Sequence, residues 1–163
     1  MAVAVKVPSG FTRLDYSLLQ TETVLDFDIY IWPDADRQPV LYRNRNLPFL
    51  DEHKERLGDL GTSELLTRKD QSDAVNRYVE RNLDRIVASP SLPIKTKARI
   101  LYRTSLQMAK DLLENPAAGD NLKRSEDMVR ATISYVLQGK EAFQQLLSIT
   151  SYDYYTYTHS VNV

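Results

Sequence analysis

Any chemistry in this chain must be done with two histidines and no cysteine. Without thiols there are no disulfides, thiolate metal sites or cysteine nucleophiles. His53 stands in a dense charge run, Asp51-Glu52-His53-Lys54-Glu55-Arg56. Such a run has the residue types of an acid/base or metal cluster, but the i,i+4 spacing of Glu52 and Arg56 is that of a solvated helix face. His159 stands in a segment rich in tyrosine, with Tyr152, Tyr154, Tyr155 and Tyr157. On residue type alone it is a surface or helix-end histidine, and the tyrosines are packing groups before they are a stacking platform for nucleotides. One imidazole cannot build a two-metal site, which needs several carboxylate and imidazole ligands in one shell. Arg43, Arg45, Lys95, Lys97 and Arg99 are basic but scattered, and nothing in their spacing forces an anion site. Trp32 lies beside a turn and reads as a core aromatic first and a ligand-stacking group second. With 5 glycines and no Gly-x-Gly-x-x-Gly or Walker A pattern, phosphate-cradling loops are not expected.

Charge excludes further classes. The 21 basic and 22 acidic residues leave a formal net charge of −1, which gives no footprint for nucleic acid or an anionic membrane. Hydrophobic residues make up 42% and charged residues 26%, the balance of a soluble globular protein. No apolar run approaches the roughly 18 to 20 residues of a membrane span. The first ten residues lack the apolar core of a signal peptide, so the expected compartment is the cytoplasm.

The elements that must hold these residues fall into two periods, and the expected fold class is α+β. Residues 1–69 read as a small α/β domain. Phe11-Thr12-Arg13-Leu14 suits a short strand. Phe27 to Trp32 alternates with period 2 and reads as a half-buried strand. Pro33-Asp34-Ala35-Asp36 is turn chemistry, and Val40-Leu41-Tyr42-Arg43 returns as the second strand of a hairpin. Asp51 to Leu60 reads as a short helix with Leu57 and Leu60 inward, ended by Gly58 or Gly61. Ser63 to Thr67 is the last strand.

Residues 70–149 change to a period near 3.6 and read as a helical bundle or linker. Val75, Val79, Leu83 and Ile86 form the stripe of a first helix, capped by Asp70 or Ser72 and stopped at Ser89-Pro90. A second helix runs from about Ile94 to Glu114. Its seam, Ile94, Ala98, Leu101, Ser105, Met108 and Leu112, spans nearly three heptads and serves either a homodimer or an intrachain face. Asp120 can cap a third helix with Leu122, Val129, Ile133 and Val136 on its apolar face, closed by Gly139. Lys140 to Leu147 reads as a short fourth helix anchored by Phe143, Leu146 and Leu147. Thr150-Ser151 should break it, with Asp153 as the N-cap of one more helix in 150–163.

That last segment, Asp153-Tyr154-Tyr155-Thr156-Tyr157-Thr158-His159-Ser160-Val161-Asn162-Val163, resembles the first helix of the HD-GYP family, metal-dependent bacterial phosphodiesterases that hydrolyse cyclic di-GMP. The resemblance is carried by the aromatic pair, Thr156, His159, Ser160, Asn162 and Val163. It extends weakly upstream, through the Phe27-to-Ile31 and Val40-to-Arg43 strands and the Tyr78-to-Leu83 segment. It implies that His159 is a metal ligand in a full-length parent. It also implies a pair of divalent ions, iron or manganese, bridging a hydroxide that attacks a phosphodiester. The family's third-metal glutamate would fall at Tyr155, so two metals are expected rather than three.

The His-Asp pair, the further histidines and the Gly-Tyr-Pro loop of that family are not in this sequence. The terminal run lacks a closing glycine and reads as cut rather than finished. The chain is therefore expected to be a non-catalytic front region: regulatory or sensory, homodimeric, and joined in cis to a C-terminal catalytic domain. The alternative is a self-contained protein-interaction or small-ligand-binding module with no enzyme attached.

Overall fold

The computed structural model describes residues 6–33, 38–61 and 64–161, with side chains up to Asp153. The fold is α+β and divides into two compact units, Met1–Tyr78 and Val79–Val163. The turn expected at 33–36 lies, beyond Pro33, outside the described residues.

The first unit is built on a four-stranded antiparallel sheet in the order β1-β6-β3-β4. Its strands are β1 (Phe11–Arg13), β3 (Ile29–Trp32), β4 (Val40–Arg43) and β6 (Glu64–Arg68). β6 lies inside the sheet, pairing Thr12 with Thr67 on one side and Tyr30 with Leu66 on the other. Leu65, Leu66 and Thr67 are all buried, the continuous apolar pattern of a strand covered on both faces. β3 and β4 form the expected hairpin, with a register irregularity between Ile29 and Tyr30. A second, two-stranded sheet pairs β2 (Thr23–Leu25) with β5 (Leu47–Phe49). Neither strand was expected. Each has three residues, and Pro48 removes a ladder donor, so the pattern carries almost no strand signal.

Helix α1 (Asp51–Asp59) follows β5. Leu57 is buried as expected, but Leu60 is exposed because the helix ends one residue earlier. Gly61 takes φ +50 just beyond it, a left-handed position at which any side chain would be strained. The core closes on Leu19, Leu25, Phe27, Ile29, Phe49 and Leu66, all fully buried. Tyr78, near the end of α2 (Ser72–Arg81), meets Phe27 edge-on at 5.3 Å, and its hydroxyl accepts the Gln20 N–H at 2.8 Å.

In the second unit the helix expected to run to Ala88 is broken. α2 ends at Arg81, Asn82 turns out of helical geometry (φ −109, ψ 12), and α3 covers Leu83–Ala88. α4 (Ile94–Glu114) starts and ends where the sequence places it, with Pro93 preceding its first turn. α5 is Asn121–Val136 and α6 is Lys140–Val161. α4 packs on α5 and α6, and α3 packs on α5. The core holds Leu83, Val87, Ala98, Leu101, Met108, Met128, Ala131, Tyr135 and Ala142.

Three helical expectations are corrected. α5 buries Arg124, Met128, Ala131 and Tyr135, whereas Leu122, Val129 and Ile133 are exposed and Val136 is half-buried. Tyr135 contributes a large ring, and its hydroxyl reaches Ile94 O at 3.2 Å, so the face that can satisfy its polar atoms is the one that goes in. On α6 the anchor is Ala142 with Leu146 beside it, while Phe143 and Leu147 are exposed. α6 also runs through Thr150-Ser151 without a break. Thr150 Oγ1 donates to Leu147 O at 3.0 Å, which satisfies the hydroxyl inside the helix instead of letting it compete for the backbone. Among the described residues no helix is long and apolar enough to cross a membrane.

Candidate functional site

The residues singled out by sequence are divided between the two units. His53 is a structural group. Its Nδ1 accepts the Leu50 N–H at 2.9 Å, the service a glutamate gives in a capping box, which satisfies one of the orphan donors at the start of α1. Accepting there leaves the neutral-ring proton on Nε2, 3.6 Å from Glu52 Oε1. The ring stacks on Phe49 at 6.0 Å. Trp32 is buried, as its core reading expected. Arg43 bonds Pro48 O, and the Arg45 N–H is held by Asp28 Oδ1 at 2.7 Å, so both belong to the frame of the first unit. Asp28 also exchanges bonds with buried Gln71: Asp28 N–H to Oε1 and Nε2–H to Asp28 Oδ2, each at 2.8 Å.

A small cleft in the first unit, about 330 Å³, is lined by Tyr16, Leu57, Gly58, Leu60, Gly61 and Leu65. The Tyr16 hydroxyl already donates to Lys54 O at 2.9 Å, and Lys54 Nζ donates to Leu19 O at 2.8 Å. Burial, then the nearby Asp59 and Glu55 carboxylates, push the Tyr16 hydroxyl above its ordinary value. A ligand pocket needs several convergent polar groups, and this lining offers one that is already engaged.

The helical unit holds the most organised polar geometry. Arg124 reaches from α5 to Glu80 on both carboxylate oxygens, at 2.6 and 2.8 Å, and to Asp111 of α4 at 2.9 Å. The bidentate Glu80 contact raises the guanidinium above its ordinary value. Burial opposes that shift and Asp111 adds to it. Lys97, considered with Lys95 and Arg99 as an anion ligand, is turned inward. Its Nζ donates to Gln138 Oε1 at 2.9 Å, and Gln138 Nε2 donates to Val87 O at 2.8 Å. Burial holds its ammonium below the ordinary lysine value. Neither network is legible from spacing, because both depend on which flank of α5 or α4 turns inward.

The six seam residues of α4 face their own unit. Ala98, Leu101 and Met108 are core, and Ile94 and Leu112 pack against it. Ser105 Oγ donates to Leu101 O at 2.7 Å and lies 3.3 Å from Met128 Sδ. Of the two readings of that stripe, the intrachain one accounts for these positions. A second copy could reach Ala98 or Leu101 only by opening the bundle.

His159 falls in the last turns of α6, and its side chain lies outside the described residues. Among the described residues no group of three or more His, Cys, Asp or Glu side chains could hold a metal ion.

No family model and no curated protein matches the sequence. Among solved structures, a HDG"Y"P protein from Bdellovibrio bacteriovorus is similar with a TM-score of 0.42 and 20% identity, covering 85% of this chain and 45% of that one. The chain thus spans less than half the length of the protein it matches.

Proposed function

We propose that this chain is the N-terminal regulatory region of an HD-GYP-type, metal-dependent phosphodiesterase acting on cyclic di-GMP, and is itself non-catalytic. The observation that carries the reading is the segment Asp153–Val163, with Thr156, His159, Ser160, Asn162 and Val163 at that family's specified positions. The course of α6 supports it. One unbroken helix leads from the bundle, where it packs on α4, into the segment that holds His159. A shift of α6 against α4 would be delivered along a rigid element rather than absorbed by a loop.

On this reading the first unit supplies the input and the bundle transmits it, with homodimerisation as part of the role. His159 would be one ligand of a divalent pair, iron or manganese. The remaining ligands would come from a catalytic domain in cis.

The in-frame sequence following Val163 tests this. A continuation with a His-Asp pair, further histidines and a Gly-Tyr-Pro loop is expected. A stop codon there overturns the reading. It would favour the second one, a free-standing interaction module, to which the outward apolar face of α5 lends support.

A further inference from the structure

α1 and α4 each carry a ladder of like charge on the side turned away from their own core. On α1 it is Asp51, Glu55 and Asp59, and on α4 it is Lys95, Arg99 and Arg103, all exposed. Steps of four residues keep each ladder on one helix face, about 12 Å from first rung to last. Glu55 stands two residues before buried Leu57, and Arg99 two before buried Leu101, which is about 200° around the helix. Among the described residues none of these six charges makes an ion pair.

Each ladder is unfavourable by itself, since like charges at i,i+4 repel. Lys95 also puts a cation in the first turn of α4, the positive end of its dipole, and no acidic residue occurs in α4 before Asp111. An acidic foreign helix, a nucleic acid or an anionic membrane would answer α4 and leave α1 as it is. A second copy of this chain brings each ladder its complement, and a net charge of −1 sets up no strong repulsion between copies. With the two helices antiparallel, Asp51 meets Arg103 of the second copy, Glu55 meets its Arg99, and Asp59 meets its Lys95. Each step of four on one helix is matched by a step of four on the other, so the three pairs share one register. The antiparallel order also sets opposed helix dipoles side by side.

We propose that the acidic face of α1 docks on the basic face of α4 in a second copy of this chain, antiparallel and in this register. A two-fold pair makes the contact twice, each copy giving one ladder and receiving the other. A single exposed ion pair contributes little. Here three form together, and each relieves repulsion in two ladders. The proposal rests on the dimerisation part of the functional reading and places it on the outward side of α4, away from the seam. It does not require the catalytic domain.

The test is the oligomeric state of the whole chain, by sedimentation equilibrium over a wide micromolar range, with circular dichroism confirming each variant's fold. The wild type is expected to form a dimer that weakens as salt rises. R99E/R103E makes two rungs of the basic ladder acidic, and D51K/E55K makes the two rungs opposite them basic. Either variant alone sets like charges across the contact and is expected to weaken association roughly tenfold or more. An equimolar mixture of the two variants is expected to recover it, because every rung then meets its complement on the other chain. A merely sticky surface gives no such recovery. Variants that dimerise as the wild type does, or a mixture that stays dissociated, overturn the contact between α1 and α4 and leave dimerisation elsewhere standing. A wild-type monomer overturns both and favours an acidic protein partner on α4. Neither outcome touches the phosphodiesterase reading, which the sequence beyond Val163 decides separately.

Discussion

α4 and α5 are neighbours in one bundle, both amphipathic, and they treat their apolar residues in opposite ways. α4 turns Ala98, Leu101 and Met108 into the core, as its spacing suggests. α5 turns Leu122, Val129 and Ile133 outward and buries Arg124 instead. The difference shows that apolar content alone does not choose the buried face. Arg124 can go inside because Glu80 and Asp111 are there to receive it, and Tyr135 because Ile94 O accepts its hydroxyl. A buried polar group supplied with partners loses little, and the aromatic ring then fills the space.

The strongest way to break this arrangement is Arg124→Ala. It would leave the Glu80 and Asp111 carboxylates facing a vacated site, and about 3–5 kcal/mol of local stability should be lost. Native-state hydrogen exchange of the α4 and α5 amides measures this. Protection equal to the wild type would mean the ion triad does not select the buried face of α5. Leu101→Ala tests the apolar half of the comparison. The side chain is fully buried against the core, and removing it should cost about 2–5 kcal/mol in the same experiment.

A smaller effect is expected at Lys97, and it depends on pH. Its folded value lies below the ordinary 10.5, so the unfolded chain holds that proton more tightly. The charged form is penalised in the fold, and stability rises with pH through the window between the lowered value and 10.5. Lys97→Met keeps the stem and removes the charge. Its stability relative to the wild type should be highest near neutrality and fall as pH approaches 10.5. Urea unfolding at several pH values reads this, and a constant difference would rule out desolvation as the cause. The smallest effect belongs to Ile133→Ala. On the isolated monomer it should change stability by no more than about 0.5 kcal/mol, in contrast to Leu101, because its side chain is already half in water. A loss as large as that of Leu101→Ala would show that the outward face is structurally used.

Legibility followed the strength of local signals. The β3–β4 hairpin, β6, α1 and both ends of α4 could be read from alternation, turn chemistry and the flanking prolines. β2 and β5 could not, since three-residue strands with a proline have no pattern to read. The break at Asn82 was hidden for a different reason: the apolar spacing from Val75 to Ile86 continues across it. The continuity of α6 was missed because Thr150-Ser151 is a breaker only where its hydroxyls find non-helical backbone, and Thr150 finds Leu147 O instead. For the candidate site, the sequence supplied the terminal segment with His159 and the suspicion that metal ligands lie elsewhere. It gave no hint that the His53 ring would accept the Leu50 N–H at the start of α1.

The sequence by itself determined the α+β class, the change of period near residue 70, the extent of α4 and the terminal segment, because these rest on short-range spacing. Tertiary structure alone decided which face of α5 goes inside, where Arg124 and Lys97 find their partners, and that the α4 seam is spent within its own bundle. Those choices depend on groups on different helices, such as Glu80 and Arg124, meeting at hydrogen-bond distance. No local pattern encodes such a meeting.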